Sequence, residues 1–141
     1  MQRFKWTKAY AVFVPQVDAE HRNLFRLADA LQEAILAKAD ETQVQEKLRA
    51  LIAATDDHFA FEERTMRSVR YPSFAWHKQQ HDTLRRRVKQ LVPQIEGGDR
   101  EAAFLLLEFL SGWLKDHTGL TDRMLGAYLR NHERYNSALA S

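Results

Sequence analysis

His58 and Glu62 stand four residues apart, as do His77 and His81, and on a helix that spacing turns two side chains toward a common point. Imidazole nitrogens and carboxylate oxygens are donors for divalent transition metals and can also carry protons. His21, His117 and Asp122 add further donors of the same kinds. The chain has no cysteine, which excludes a thiolate site and a disulfide framework and leaves nitrogen and oxygen as the donors for any metal.

The elements that must position these residues follow from the breakers. Glycine and proline cluster at Pro15, Pro72 and Gly97-Gly98 and leave long uninterrupted segments, which favour helices. Asp18 is the expected N-cap of a first helix running to about Lys38, and Asp40 or Thr42 starts a second reaching about Ser68. Ser73 caps a third that ends near Pro93 to Glu96, and Asp99 caps a fourth that continues to about Arg130.

Apolar residues recur at three- and four-residue steps. The first seam reads Val17, His21, Leu24, Ala28, Leu31, Ile35 and the second Val44, Leu48, Leu51, Thr55, His58, Glu62, Met66. The third reads Phe74, His77, His81, Leu84, Val88, Leu91, Ile95 and the fourth Ala103, Leu106, Leu110, Trp113, His117, Leu120, Met124. Short connections make consecutive helices antiparallel, so the expected fold is all-α, an up-down-up-down four-helix bundle with an N-terminal extended arm. The expected division is an arm over 1–17 that packs on the bundle, the bundle over 18–131 and a tail over 132–141, with His132 at the surface.

Five histidines and Glu62 thus fall on inward positions, at one end of the bundle and at about one depth. A lone histidine there is more often an ordinary core residue; five crowded together satisfy one another poorly, while a metal uses their lone pairs directly. Five nitrogens and a carboxylate exceed the four ligands of a structural zinc site, which points to two metals and calls for a second carboxylate. Asp122 is the candidate, but a five-residue step from His117 rotates a regular helix through about 140° from the earlier residue. A π-type bulge or a break is therefore expected between His117 and Asp122, where Gly119 eases the irregularity.

Lys and Arg total 21 against 19 Asp and Glu, and the one basic run, Arg85-Arg86-Arg87, reads as a solvated helix face, so no nucleic-acid partner is expected. The longest apolar stretch, Ala102 to Leu110, is broken by Glu108, and no membrane partner is expected either. The expectation is a cytoplasmic monomer.

Taken in order, the single histidine, H-x-x-x-E, H-x-x-x-H and H-x-x-x-x-D resemble the hemerythrin family. The stretches VDAEHRNLF, HFAFEERTM, YPSFAWHKQQH and WLKDH are similar to its bacterial members, and the resemblance runs from about Trp6 to Tyr128. It implies two iron ions, ferrous or ferric, with an oxo or hydroxo bridge. One would be held by His77, His81 and His117 and the other by His21 and His58, with Glu62 and Asp122 bridging. The two-histidine iron would be one ligand short, and dioxygen would bind there reversibly.

The family likeness also implies an oxygen pocket of Leu24, Phe59, Trp113 and Leu114. Thr118 departs from the pattern, standing where the family usually has isoleucine. The function so implied is oxygen carriage, storage or sensing, with no catalytic residues. The alternatives are a di-iron oxidoreductase acting on peroxide or nitric oxide, and a bundle in which the metal is structural.

Overall fold

Three of the interhelical turns are built the same way, and they set the up-and-down course of the chain. In the computed structural model, which describes residues 3–140 and side chains as far as Glu133, the helices are α1 (Pro15–Leu36), α2 (Glu41–Ser68), α3 (Phe74–Glu96), α4 (Arg100–Asp116) and α5 (Asp122–Ala140). After α1, α2 and α3 the backbone turns left-handed at Lys38, Arg70 and Gly98, with φ of 55°, 53° and 90°. The next amide then reaches back five residues, Ala39 to Ala34, Tyr71 to Met66 and Asp99 to Gln94, satisfying carbonyls that a helix end leaves open. Of these three positions only Gly98 is free of the side-chain penalty for positive φ.

Asp40 and Asp99 cap α2 and α4 as expected, their carboxylates accepting from the amides of Gln43 and Ala102. Ser73 occupies the N-cap of α3 without a side-chain cap bond. Asp18 is a correction: α1 begins at Pro15, a residue suited to a first turn, and Asp18 lies inside the helix. Its buried carboxylate instead accepts from the amides of Val12 at 2.8 Å and Phe13 at 3.1 Å, tying the incoming arm to α1.

Consecutive helices pack side by side and α1 closes against α4, giving the four-helix bundle; among the described residues there is no strand. The arm makes a short 3₁₀ turn at Lys8–Tyr10 and buries Phe4, Ala11 and Val12. Arg123 bonds the carbonyls of Ala9 and Ala11, and Arg130 bonds that of Val12, so α5 carries the arm. Trp6 lies under Arg22 of α1, 4.6 Å from guanidinium to ring.

Phe25, Leu31, Leu48, Leu84, Leu106 and Leu107 fill the larger part of the core, each buried side chain contributing on the order of 1.5–3 kcal/mol. Met66, Tyr71 and Leu125 form a second apolar cluster. Along α2 the polar residues His58, Glu62 and Glu63 fall between contributors to the two clusters, Leu51 and Met66.

The π-type bulge is present: His117–Thr121 form one π turn, and the helical backbone angles of His117 and Asp122 join α4 and α5 into a continuous rod. The bulge inserts one residue, so every inward position beyond it moves by one. Thr121, Asp122 and Leu125 are buried, whereas Leu120 is 60% and Met124 44% exposed, correcting the last two positions of the fourth seam. The rod also outruns its expected end near Arg130 and continues to Ala140. Most of the side chains of the expected tail lie outside the described residues.

Candidate metal centre

The four rods bring seven donor residues into one layer. α1 supplies His21, α2 His58 and Glu62, α3 His77 and His81, the π turn His117 and α5 Asp122; each is at most 3% exposed. The π turn decides the last of these, because its wider step brings Asp122 back to the face of His117, and their Oδ1 and Nε2 atoms lie 3.1 Å apart.

The donors fall into two overlapping groups. One contains His77, His81 and His117, the other His21 and His58, and Glu62 and Asp122 belong to both. Each carboxylate divides its oxygens between the groups. Glu62 Oε1 lies 3.2 Å from His77 Nε2 and 3.0 Å from His81 Nε2, while its Oε2 lies 3.2 Å from His58 Nε2. Asp122 Oδ1 lies 3.1 Å from the Nε2 atoms of His77 and His117, and its Oδ2 lies 2.9 Å from His21 Nε2.

Close as they are, these atoms do not satisfy one another. Glu62 Oε2 and both oxygens of Asp122 accept no properly directed hydrogen bond although they are buried. The Nε2 atoms of His21 and His58 face each other at 3.1 Å, and those of His81 and His117 at 3.2 Å. Two in-plane lone pairs at that distance repel unless a proton or cation stands between them. The donor set is therefore one that a pair of cations fits: imidazole and carboxylate only, converging, and unsatisfied without them.

A second ring of residues fixes the imidazoles from behind. His58 Nδ1 lies 2.6 Å from Glu20 Oε1, His81 Nδ1 2.9 Å from Glu63 Oε2, and His117 Nδ1 2.9 Å from Gln80 Oε1. An acceptor at Nδ1 holds the proton there and leaves Nε2 as a lone pair aimed inward. Arg85 pairs with Glu63 at 2.9 Å, and the Thr121 hydroxyl donates to Gln80 Oε1 at 2.6 Å. The Nδ1 atoms of His21 and His77 are buried without such a partner. Sequence reasoning missed Glu20, Glu63 and Gln80, although each is the immediate neighbour of a donor: Glu20 precedes His21, Glu63 follows Glu62 and Gln80 precedes His81.

Without metal, the two buried carboxylates draw protons onto the rings. Burial opposes charge on His21, but the Asp122 carboxylate overrides it and lifts the pKa to about 9. Burial likewise opposes charge on His58 and His77, and Glu62 with Glu20 lifts the former to about 10, while the close Asp122 and Glu62 carboxylates lift the latter to about 9. His117 is raised by Asp122, and burial leaves His81 lowered. Burial pushes Glu62 and Asp122 upward, yet the surrounding imidazoles hold both below the usual carboxylate range.

Of the five expected pocket residues, Leu24, Phe59, Leu114 and Thr118 are buried and Trp113 is half-buried. Leu24 lies with His58 in the wall of one cavity between α1 and α2. Phe59 stacks on His81 with centroids 3.9 Å apart, and Trp113 stacks on His117 at 4.2 Å while donating to the Gln80 carbonyl. The Thr118 hydroxyl turns back to donate to the Leu114 carbonyl at 2.5 Å. His132 is half-buried, with its ring 6.2 Å from that of Tyr128, and belongs to neither donor group.

Comparison with known proteins agrees with this geometry. The chain is 30% identical to a bacteriohemerythrin of Aquifex aeolicus, over 75% of this chain and 82% of that one. It is 28% identical to the bacteriohemerythrin of Methylococcus capsulatus over 92% and 98%, and 26% identical to the myohemerythrin of Theromyzon tessulatum over 84% and 88%. The profile of the hemerythrin HHE cation binding domain matches residues 12–129, from the end of the arm through the entire donor layer, and with that match the chain belongs to the hemerythrin family.

Proposed function

We propose that this protein binds dioxygen reversibly at two iron ions held by His77, His81 and His117 on one side and His21 and His58 on the other, with Glu62 and Asp122 shared. The observation that carries this reading is the division of each carboxylate between a three-histidine and a two-histidine group. Such a layout would hold two neighbouring ions with unequal numbers of protein donors, five against four, and an oxo or hydroxo group would complete the pair. The pair of irons would supply the two electrons that a reversible hold on dioxygen requires.

The protein's own part is to hold the donors, keep them deprotonated at Nε2 and exclude water. Five neutral imidazoles against two carboxylates place little negative charge on the ions, which favours binding over oxidative turnover. Leu24, Phe59, Trp113, Leu114 and Thr118 form the proposed wall of the oxygen pocket, in which the four apolar side chains keep protons and water from the site. Among the described residues no helix is long and apolar enough to cross a membrane. The reading is of a non-enzymatic carrier, store or sensor.

The test is to load iron without oxygen, admit air and then flush with argon, recording the visible spectrum at each step. Reversible carriage gives a charge-transfer band that appears in air and disappears under argon over repeated cycles. Catalytic turnover of peroxide or nitric oxide with an electron donor would replace this reading by an oxidoreductase, and equal occupation by zinc with no oxygen response would replace it by a structural site.

A further inference from the structure

A cavity of about 420 Å³ lies between α1 and α2, and His58 stands in its wall. The charged residues there besides that imidazole are Glu20 and Asp57, both acidic. Asp57 is exposed and makes no ion pair among the described residues. The Glu20 side chain is 29% exposed and touches the donor layer, its Oε1 lying 2.6 Å from His58 Nδ1. On the far side of the same ring, Nε2 lies 3.2 Å from Glu62 Oε2, a buried oxygen that accepts no directed hydrogen bond. Glu20, His58 and Glu62 thus form an unbroken series of donors from the surface to the interior.

Two other cavities border the layer and lack such a series. The one between α2, α3 and α4 meets it at Phe59, and its charged wall residues, Asp56, Arg85 and Lys89, are of both signs. The one between α3 and the π turn includes His117 and Asp116, but Trp113 stacks on the His117 ring at 4.2 Å, and the group at its Nδ1 is the uncharged Gln80. A cation, Arg26, reaches the rim of the cavity between α1 and α2; it is exposed, stands outside the wall and donates to Asn23 Oδ1 at 2.7 Å.

We propose that the cavity between α1 and α2 is the entrance through which metal ions reach the donor layer. Asp57 and Glu20 concentrate divalent cations at its mouth, because a cleft lined by one sign of charge focuses the field and raises the local counter-ion concentration. Glu20 is the positioning residue of the passage. When its carboxylate lets go of Nδ1, the His58 ring is free to turn toward the mouth and back, with the unpaired Glu62 oxygen as the next donor inward. The inference rests on the reading of the layer as a metal centre and is independent of what the loaded centre does with oxygen.

The rate at which the full metal-free chain takes up cobalt(II) tests this, read by stopped-flow tryptophan fluorescence, with the final cobalt content measured by metal analysis. At low salt Asp57→Asn is expected to slow uptake about threefold and Arg26→Gln to speed it about twofold, with the final content equal to that of the unaltered chain in both. Asp116→Asn removes the same charge beside the His117 cavity and is expected to leave the rate unchanged. All three side chains are exposed and outside the donor layer, and added salt should close the gaps between the variants. Equal slowing by Asp57→Asn and Asp116→Asn would mean that net charge alone sets the rate, and no slowing by Asp57→Asn would rule out the route; either result overturns the inference. Failure of the unaltered chain to take up cobalt would overturn the metal centre along with its entrance.

Discussion

Glu20 of α1 accepts a hydrogen bond from Nδ1 of His58 on α2 at 2.6 Å, and the same relation repeats around the bundle. Glu63 of α2 serves His81 of α3, and Gln80 of α3 serves His117 at the end of α4. α1, α2 and α3 thus each contribute an inward donor and, one residue along the chain, the group that orients a donor on the next helix. A rotation of about 100° per residue explains the pairing: one step from an inward position points a side chain at the neighbouring rod. Three of the five imidazoles are consequently held through links that run from α1 to α4 rather than as separate ligands.

Breaking one link should loosen one side of the site. Glu20→Ala is expected to weaken metal retention at the two-histidine group and Glu63→Ala at the three-histidine group, each on the order of 10- to 100-fold. Chelator competition followed by metal analysis measures this. Glu20→Gln and Glu63→Gln should recover part of the loss, since an amide oxygen still accepts from Nδ1. Equal retention in the alanine variants would show that the outer ring is ornamental.

Metal loading should expel protons. The raised pKa values of His21, His58 and His77, about 9, 10 and 9 against an ordinary 6.5, mean that the metal-free site carries protons at neutral pH. Their contribution to metal-free stability is complete below about pH 6.5 and disappears as pH rises through 9 to 10. Glu62 and Asp122, held below their ordinary 4.5 and 3.8, contribute above those values and lose their contribution as pH falls through the depressed ones. The metal-free chain should therefore show a melting temperature that declines from pH 7 to 10, a decline that metal suppresses. Calorimetric titration in buffers of different ionisation enthalpy should register proton release on loading, smaller at pH 10 than at pH 7.

The inward donors were legible from the sequence because spacing alone fixes a helix face: His58 with Glu62 and His77 with His81 need nothing but the four-residue step. Even the π turn was legible, since His117 and Asp122 can share a face only through a wider turn. Its downstream consequence lies outside the regular period. Leu120 and Met124 follow from the regular period, and the inserted residue moves burial to Thr121 and Leu125. Asp18 was misread because a short acidic residue before a helical pattern signals a cap, whereas here it bonds a segment of the arm that no local rule locates. Glu20, Glu63 and Gln80 escaped because their role depends on a partner helix rather than on their own.

The arm should depend on that misread residue. Asp18→Ala strands the buried amide of Val12 and leaves Phe13, at a φ of 62°, without its anchor. A loss of about 1–3 kcal/mol is expected, together with faster proteolysis before Pro15. Gly126→Ala tests the same contact from α5, because a Cβ there would lie 2.5 Å from the Val12 carbonyl oxygen. Denaturant unfolding reads both, and arm cleavage that is unchanged in both variants would contradict this account.

Thr118 is the remaining departure inside the proposed pocket, and its hydrogen bond gives the effect of replacing it a direction. The hydroxyl proton is committed to the Leu114 carbonyl, so the side chain has none to offer a bound guest, while its oxygen keeps lone pairs that can hold a water in the wall. A water there would carry protons toward the site and promote conversion to the inert ferric state. Thr118→Ile removes that acceptor and fills the space with carbon in a buried position. The oxygenated absorption band should then decay several-fold more slowly, with reversible uptake retained. Decay at the same rate, measured at one temperature and pH in both proteins, would show that Thr118 does not set the lifetime of the oxygenated form.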